Sequence, residues 1–325
     1  MDGTTYLVSR MAGHSLADDI WTMLDAVQRY TECCMTERNK LSEWLKGALL
    51  ITDGAWGTQL QQRGLPPGTT PDTWNLTHPD RVEAVARAYT EAGSQVVLTN
   101  TFRANAIAMK DSSAADLDAI NHAGVALSRR GAGQALVFAS IGPTGKMLVS
   151  GEISGEEVTA AFAAQSASLA AAGADALLIE TMSDIDEARL ALNAARHTGL
   201  PVIVSFAFDS GKNKDRTMMG ATPEAVAAAM ADAGADAVGA NCGVGVEHAV
   251  PICQRLRAGN LPVWIKPNAG LPTMEGTAIR YATSAEFFAS HYVALRDAGA
   301  AFLGGCCGST PDFIRALVDA RRAAE

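Results

Sequence analysis

The sequence lacks any apolar stretch near the roughly 20 residues that a membrane-spanning helix needs. Its longest apolar runs have the length of a strand and end in Gly, Asp or Asn. The N-terminus also lacks a charged segment followed by an apolar one, so we expect no signal peptide and a cytoplasmic location. No dense basic run occurs, and 26 Lys and Arg against 35 Asp and Glu give a net charge of −9. This balance argues against nucleic acid as a partner.

Cysteine is scarce, with six residues in a chain of 325. A composition that is 48% hydrophobic is that of a globular protein, which can bury a sizeable core without disulfide bonds. In a reducing compartment, a small set of cysteines indicates metal ligands or catalytic groups before it indicates disulfides. The positions of the six cysteines therefore matter more than their number.

Short apolar, β-branched runs alternate with Ala-rich helical stretches from residue 48 onward. Eight such runs occur: Ala48–Asp53, Gln95–Asn100, Ala135–Gly142, Ala174–Thr181, Pro201–Phe208, Ala235–Cys242, Pro262–Asn268 and Ala300–Cys307. Because the runs are apolar on both faces, they predict a buried parallel sheet. Eight βα units favour a closed (β/α)8 TIM barrel, an α/β fold, over an open doubly wound sheet. We predict one such domain over residues 48–325.

The intervening helices have recognisable starts and ends. Capping hydroxyls followed by an acid in the first turn occur at Ser154, Thr222, Ser284 and Thr310. Glycines that end a helix just before strands two, four, six and eight are Gly93, Gly173, Gly234 and Gly299. This recurrence at alternate strands indicates a repeated double βα unit.

Residues 1–47 form a different region, which we interpret as a short helical N-terminal extension. Apolar residues at helical spacing are Leu16, Ile20, Leu24 and Val27, and again Leu41 and Leu45. This spacing predicts one or two amphipathic helices docked outside the barrel. Met35 is an alternative translation start, and in that case residues 1–34 would not belong to the working protein.

Three cysteines end strands of the predicted barrel. Cys242 ends the sixth run, and Cys306 and Cys307 end the eighth. Because the C-termini of barrel strands converge on one face, these thiols should meet at the rim where catalytic residues lie. Three soft ligands with a fourth position left open are typical of a catalytic zinc ion. Both adjacent thiols can reach one ion only if the backbone bends, which Gly304, Gly305 and Gly308 would allow.

Other interpretations of the cysteines remain open. Free Cys often packs as a small hydrophobe in a protein core. A disulfide between Cys306 and Cys307 would be strained and would need an oxidising compartment. We interpret Cys253, inside a predicted helix, and the Cys33–Cys34 pair of the extension as structural.

Two further strand ends carry candidate binding residues. After the first strand, Asp53-Gly-Ala-Trp-Gly-Thr is a tight glycine turn whose backbone N–H groups can approach a small anion such as a carboxylate. After the fourth, Glu180 places a carboxylate at the rim, where it suits a substrate ammonium group. The alternative for Glu180 is a solvated, capping or ion-paired acid.

The ordered set of strand-end motifs resembles that of the homocysteine S-methyltransferase family over residues 48–325. These motifs are Asp53-Gly-Ala-Trp-Gly-Thr, Thr99-Asn-Thr-Phe, Gly142-Pro-Thr-Gly, Glu180-Thr-Met, Gly239-Ala-Asn-Cys and Gly304-Gly-Cys-Cys-Gly-Ser. The family includes betaine-homocysteine methyltransferases, S-methylmethionine-dependent enzymes and the homocysteine module of cobalamin-dependent methionine synthase.

The resemblance implies a zinc-dependent S-methyltransferase that forms methionine. Zinc would be held by Cys242, Cys306 and Cys307, and the amino-acid end of homocysteine would lie near Asp53, Gly54, Ala55 and Glu180. A free thiol has a pKa of about 8.5 and is mostly protonated at neutral pH, whereas zinc coordination yields the thiolate nucleophile. The bound thiolate would then attack the methyl donor. No general base is required, which agrees with the lack of His at any strand end.

The expected methyl donor depends on aromatic residues near the rim and on two further segments. Trp74 follows the first strand, where animal betaine enzymes carry a cage Trp for the quaternary ammonium. Their cage tyrosines are replaced by Arg103 and Thr181, which disfavours betaine. The segments Lys266-Pro-Asn-Ala-Gly-Leu-Pro and Arg216-Thr-Met-Met-Gly resemble the methionine synthase module instead. We therefore expect methylcobalamin, or a methylfolate acting through it, on a separate corrinoid protein. S-methylmethionine is a third candidate.

A function of another class is a zinc- or thiol-binding barrel without turnover. The motif set argues against it, because an open metal position next to an amino-acid pocket has no evident use in storage.

Overall fold

The computed structural model describes residues 40–46, 48–275 and 278–325. Its main sheet has eight parallel strands: β1 Leu50–Ile51, β2 Val96–Leu98, β3 Leu136–Ile141, β4 Ala176–Met182, β5 Val202–Phe206, β6 Ala237–Cys242, β7 Val263–Pro267 and β10 Ala300–Leu303. The strand order is β1-β10-β7-β6-β5-β4-β3-β2, and a parallel bridge between Thr52 and Val96 joins the two ends. The predicted (β/α)8 barrel is confirmed, with one strand in each of the eight apolar runs, although β4 extends one residue beyond its run to Met182.

Helices surround the sheet in the expected alternation. They are α1 Gly57–Gln62, α2 Trp74–Thr77, α3 Pro79–Glu91, α4 Ala114–Ala132, α5 Gly155–Ala171, α6 Ile185–Arg196, α7 Pro223–Ala233, α8 Ala249–Leu256, α9 Ala285–Ala289, α10 Tyr292–Ala298 and α11 Pro311–Ala324. The predicted caps Ser154, Thr222, Ser284 and Thr310 each accept a hydrogen bond from the first turn. The predicted glycine ends Gly93, Gly173, Gly234 and Gly299 all have positive φ. None of the helices in the described ranges is long and apolar enough to cross a membrane.

The interior of the barrel changes from apolar to polar along its axis. Near the N-terminal ends of the strands, Phe138, Trp264 and Phe302 pack with ring centroids 5.1–6.0 Å apart. Toward the C-terminal ends, Glu180 and Lys266 occupy the inward positions instead. This gradient leaves the functional end of the barrel lined by groups that can bind polar ligands.

The N-terminal extension is only partly described, as a short helical segment at residues 40–44. Its Leu41 joins the same apolar cluster as the inward residues of the strands, and its Trp44 ring lies 5.5 Å from Phe138. The segment therefore packs over the N-terminal mouth of the barrel and not against the outer helices. The aromatic layer at this end of the barrel needs an apolar cover. The other predicted helical positions, Leu16, Ile20, Leu24 and Val27, and the Cys33–Cys34 pair lie outside the described residues.

An antiparallel hairpin that the sequence did not predict follows β7. It consists of β8 Pro272–Glu275 and β9 Ala278–Tyr281. Its four-residue strands are too short for an alternating pattern to stand out from a loop. The hairpin brings Tyr281 to the functional end of the barrel, where its ring packs against Gly308.

Candidate active site

A cavity of about 390 Å³ opens at the C-terminal end of the barrel. Residues from the predicted set that line it are Gly54, Ala55, Glu180, Cys242, Cys306 and Cys307. Further lining residues include Trp56, Phe102, Asp72, Arg103, Ser140 and Lys266. Six of the eight candidate residues from the sequence thus meet in one cavity, whereas Asp53 and Trp74 do not line it.

The three rim thiols form a compact group. The Sγ atom of Cys242 lies 3.0 Å from that of Cys306 and 3.9 Å from that of Cys307, and all three lie within 4.8 Å of one another. Four tetrahedral ligands at about 2.3 Å from zinc would have their sulfur atoms about 3.8 Å apart. The observed separations, from 3.0 Å to at most 4.8 Å, lie on both sides of this value, and the three donors are soft, so the group suits a zinc ion. All three thiols are half-buried and none forms a disulfide.

The backbone leaves the regular strand at or before each of the three cysteines. Cys242, the last residue of β6, has φ 57°, and the next residue, Gly243, has φ 67°, so the strand is followed at once by a left-handed turn of the backbone. A Cβ atom at Gly243 would lie 2.7 Å from the Phe208 carbonyl oxygen, so glycine is needed there. At the other ligands, β10 ends at Leu303 and the Cys306 N–H donates to the Pro267 carbonyl (2.8 Å). The chain thus leaves the strand before the cysteine pair.

The three glycines around the cysteine pair are required for different reasons. Gly308 has φ 84°, a conformation that L side chains rarely adopt, so it supplies the predicted bend. Gly304 is required for space instead, because a Cβ atom there would lie 2.0 Å from Thr52 Oγ1. The same holds for Gly305, whose Cβ atom would lie 2.3 Å from Ser309 Oγ.

The pKa values of the clustered thiols are shifted in different directions. Hydrogen bonds from Cys242 and Cys306 lower the pKa of the Cys307 thiol, because two S–H donors stabilise its anion. Contact with Cys306 and Cys307, with burial as a further cause, raises the pKa of Cys242. A deprotonated thiol is the soft donor that a zinc ion prefers, so these groups suit such a cation.

Glu180 is held inside the cavity by its neighbours on the strands. Ser140 of β3 donates a short hydrogen bond to its carboxylate. Burial raises the pKa of Glu180 to about 7, against the lowering effect of the nearby Lys266. A carboxyl group with this pKa takes up or loses a proton near neutrality, so a cation bound beside it would stabilise the ionised form.

Asp53 lies beneath the cavity and is fully buried. It accepts hydrogen bonds from the Trp56 indole N–H (2.7 Å) and the Leu98 backbone N–H (2.8 Å), and it forms an ion pair with Lys266. The carboxylate is thus committed to neighbouring protein groups. The next two residues do reach the cavity, but the Ala55 N–H donates to Ser309 Oγ (3.1 Å), which removes one of the turn N–H groups that we expected for an anion.

Trp74 is packed away from the cavity. Its side chain is 3% exposed, its ring is stacked on His78 at 4.3 Å, and the Arg81 guanidinium lies 5.1 Å from the ring centroid. The aromatic rings that line the cavity belong to Trp56 and Phe102. Both stand in motifs quoted from the sequence, but spacing alone does not show which ring of a loop faces inward.

Lys266 and Tyr281 are among the residues of the site that the sequence did not single out. Lys266 carries a charge within the apolar strand Trp264-Ile-Lys-Pro, and this interruption was a usable signal. Tyr281 places its hydroxyl within hydrogen-bonding reach of the Cys307 thiol. No signal in the sequence connects Tyr281 with the cysteines, because the hairpin that carries it was not predicted.

Comparison with known proteins shows which family the chain belongs to. The family model described as homocysteine S-methyltransferase matches residues 50–321. The chain belongs to the homocysteine S-methyltransferase family. The resemblance stated from the motifs is therefore confirmed, as is membership of a family of methyltransferases.

Individual proteins that are similar to this chain show the extent of the likeness. Methionine synthases of Mycobacterium leprae and Mycobacterium tuberculosis are each 30% identical over 306 residues, covering 86% of this chain and 25% of the relative. The chain thus spans about a quarter of the length of these relatives. The homocysteine methyltransferase MmuM from Escherichia coli, in a metallated form, has a TM-score of 0.70 and 26% identity, with 85% of this chain and 98% of that one covered.

Proposed function

We propose that this protein is a zinc-dependent homocysteine S-methyltransferase that forms methionine in the cytoplasm. The observation that carries the proposal is the meeting of three thiols and one buried carboxylate in a single cavity. The thiols supply three ligands of one kind, and the carboxylate supplies a partner for the ammonium group of an amino acid. A solved relative that is called a homocysteine methyltransferase and exists in a metallated form supports the same assignment.

Each residue has a definite part in this proposal. Cys242, Cys306 and Cys307 would hold zinc, which supplies the chemistry of keeping the substrate sulfur as a thiolate at neutral pH. Glu180 would bind the ammonium group and so direct the substrate sulfur toward the thiols. Gly54 and Ala55 line the cavity and leave room for the amino-acid end of the substrate, while Asp53 supports that floor from below.

For the methyl donor, we favour methylcobalamin, or a methylfolate that acts through it, on a separate corrinoid protein. The methionine synthases of the two mycobacteria resemble this chain, which spans about a quarter of their length. The position of Trp74 outside the cavity also weakens the case for a betaine cage built as expected from the sequence. Betaine or S-methylmethionine is the second candidate, because Trp56 and Phe102 line the cavity and aromatic faces attract small cations.

Methionine formation tests the proposal directly. The zinc-loaded protein is mixed with homocysteine and, separately, with methylcobalamin, betaine or S-methylmethionine, and methionine is quantified. We expect methionine with methylcobalamin in particular. Turnover only with a small cation would overturn the donor assignment but not the methyltransferase, whereas homocysteine binding without methionine from any donor would favour the thiol-binding barrel.

A further inference from the structure

β4 contains one extra residue where it reaches the cavity. Ile179 pairs with Val204 of β5, but the next pairing joins Met182 to Phe206. Three steps along β4 therefore match two along β5, which defines a β-bulge at residues 180 and 181. As a result, consecutive residues Glu180 and Thr181 both line the cavity, although neighbours in a regular strand point to opposite faces.

The bulge depends on an unfavourable backbone conformation. Thr181 has φ 63°, and a β-branched residue with positive φ is a genuine outlier. Such a conformation persists only where the surrounding structure holds it. The question is then which group holds Thr181.

The side chain of Asn241 on β6 makes the required contacts. Its Oδ1 atom accepts hydrogen bonds from the Thr181 backbone N–H (2.9 Å) and from Ser205 Oγ (2.7 Å). Its Nδ2 group donates to Thr181 Oγ1 (2.7 Å). Asn241 is 2% exposed, so water offers these groups no substitute. The carboxamide thus bonds both the backbone and the side chain of the strained residue.

Asn241 also lies next to the thiol cluster in the chain. The residue that follows it is Cys242, which has φ 57° and whose sulfur contacts Cys306. One buried side chain therefore joins the two strand ends that carry the carboxylate and the first thiol of the cavity. Movement of either end would require breaking these hydrogen bonds.

We infer that Asn241 is a positioning residue that holds the bulge of β4 against the end of β6, so that Glu180 and Cys242 lie at a fixed separation matched to an amino-acid thiol. The inference rests on the proposed function, since homocysteine carries both the ammonium group and the sulfur. Asn241 itself contacts neither the ammonium group nor the sulfur atom of the substrate. It acts on the substrate through Thr181 and the adjoining Glu180.

The test compares two thiols that differ only in the amino group, homocysteine and 4-mercaptobutanoate. Their dissociation constants are measured by calorimetry with the zinc-loaded protein and with its Asn241→Ala variant. We expect the variant to bind homocysteine about tenfold more weakly, the loss typical of a misplaced charged hydrogen bond, while binding of 4-mercaptobutanoate hardly changes. If Asn241→Ala bound both thiols more weakly by the same factor, or bound both as tightly as the unsubstituted protein, the inference would be overturned.

A matched control separates positioning from general stability. Asn121 is also buried, and its carboxamide donates to the carbonyls of Ala104 and Leu117, away from the cavity lining. Asn121→Ala should therefore lower the thermal midpoint but leave the discrimination between the two thiols intact. Loss of discrimination in this variant would show that destabilisation alone produces the effect.

A double-substitution cycle tests the strained residue itself and needs no substrate. Glycine adopts positive φ freely, so Thr181→Gly should raise the thermal midpoint of the Asn241→Ala variant, in which the strain is no longer held. Strict additivity of the two substitutions would contradict the inference. If the unsubstituted protein bound neither thiol, the proposed function would fail, and this cycle would still decide whether Asn241 holds the bulge.

Discussion

Lys266 donates a hydrogen bond to the Asp53 carboxylate inside the barrel, although 213 residues separate them in the chain. Both side chains are almost completely buried, with exposed fractions of 2% and 0%. Burial opposes the charge on Lys266, but Asp53 and Glu180 outweigh it and raise the pKa of the ammonium group above its usual value. The floor of the cavity therefore contains a buried ion pair whose partners depend on each other.

Removal of one partner should cost far more stability than removal of both. Lys266→Met leaves the Asp53 charge buried and unpaired, which typically costs about 3–5 kcal/mol. We expect the Asp53→Asn, Lys266→Met double variant to be more stable than Lys266→Met alone, as measured by the free energy of unfolding in urea. Lys146→Met is the control, because its exposed pair with Glu152 should contribute only about 0–1 kcal/mol. Additive effects of the two buried substitutions would refute the pairing.

Zinc content should follow the three clustered thiols. Serine is a poor zinc ligand compared with thiolate, so Cys242→Ser, Cys306→Ser and Cys307→Ser should each lose the single zinc ion that we expect per chain. Cys253→Ser is the control, because this fully buried cysteine of α8 lies outside the group. Metal analysis of the purified variants is the measurement. Full zinc occupancy after replacement of Cys306, or zinc loss after replacement of Cys253, would contradict the assignment.

Homocysteine affinity should depend on the protonation of Glu180. Burial raises its pKa to about 7, so the carboxyl is neutral below that pH and ionised above it. Only the ionised form pairs with an ammonium group, so affinity should rise as the pH increases through about 7. Glu180→Gln should lack this component and weaken binding by about 2 kcal/mol, roughly thirtyfold, with zinc retained.

A thiol without an amino group provides the control for this pH effect. The affinity for 4-mercaptobutanoate should show only the pH dependence of the thiol proton, in both the unsubstituted protein and Glu180→Gln. Calorimetry between pH 6 and pH 8 would measure all four cases. An identical pH profile for homocysteine in the two proteins would exclude Glu180 as the titrating group.

Substitution of Trp74 should affect stability, whereas substitution of Trp56 should affect binding of the methyl donor. Trp74 is buried against His78, so Trp74→Ala should destabilise the fold by about 3–5 kcal/mol and leave the donor KM of the folded protein unchanged. Trp56 lines the cavity, so Trp56→Ala should raise the KM for the donor instead. Steady-state kinetics with the active donor, together with thermal unfolding, would compare them. A raised donor KM in Trp74→Ala alone would reverse these roles.

Local patterns were sufficient for much of the architecture. The eight strands, the caps such as Ser154 and Thr222, and the glycine helix ends such as Gly93 depend on burial periodicity and on backbone preferences within a few residues. Parallel strands in a barrel all deliver their C-termini to one rim, so the meeting of Cys242 with Cys306 and Cys307 could also be predicted.

The rest of the site was decided by tertiary structure, because it depends on contacts between distant strands. Lys266 and Asp53 pair only once the barrel closes, and the pairing turns Asp53 inward, away from the cavity lining. The choice between Trp56 and Trp74 as the ring facing the cavity depends on how the loop after β1 packs on α3. The bulge at Thr181 exists only against Asn241 of β6, since no local preference favours positive φ in a β-branched residue.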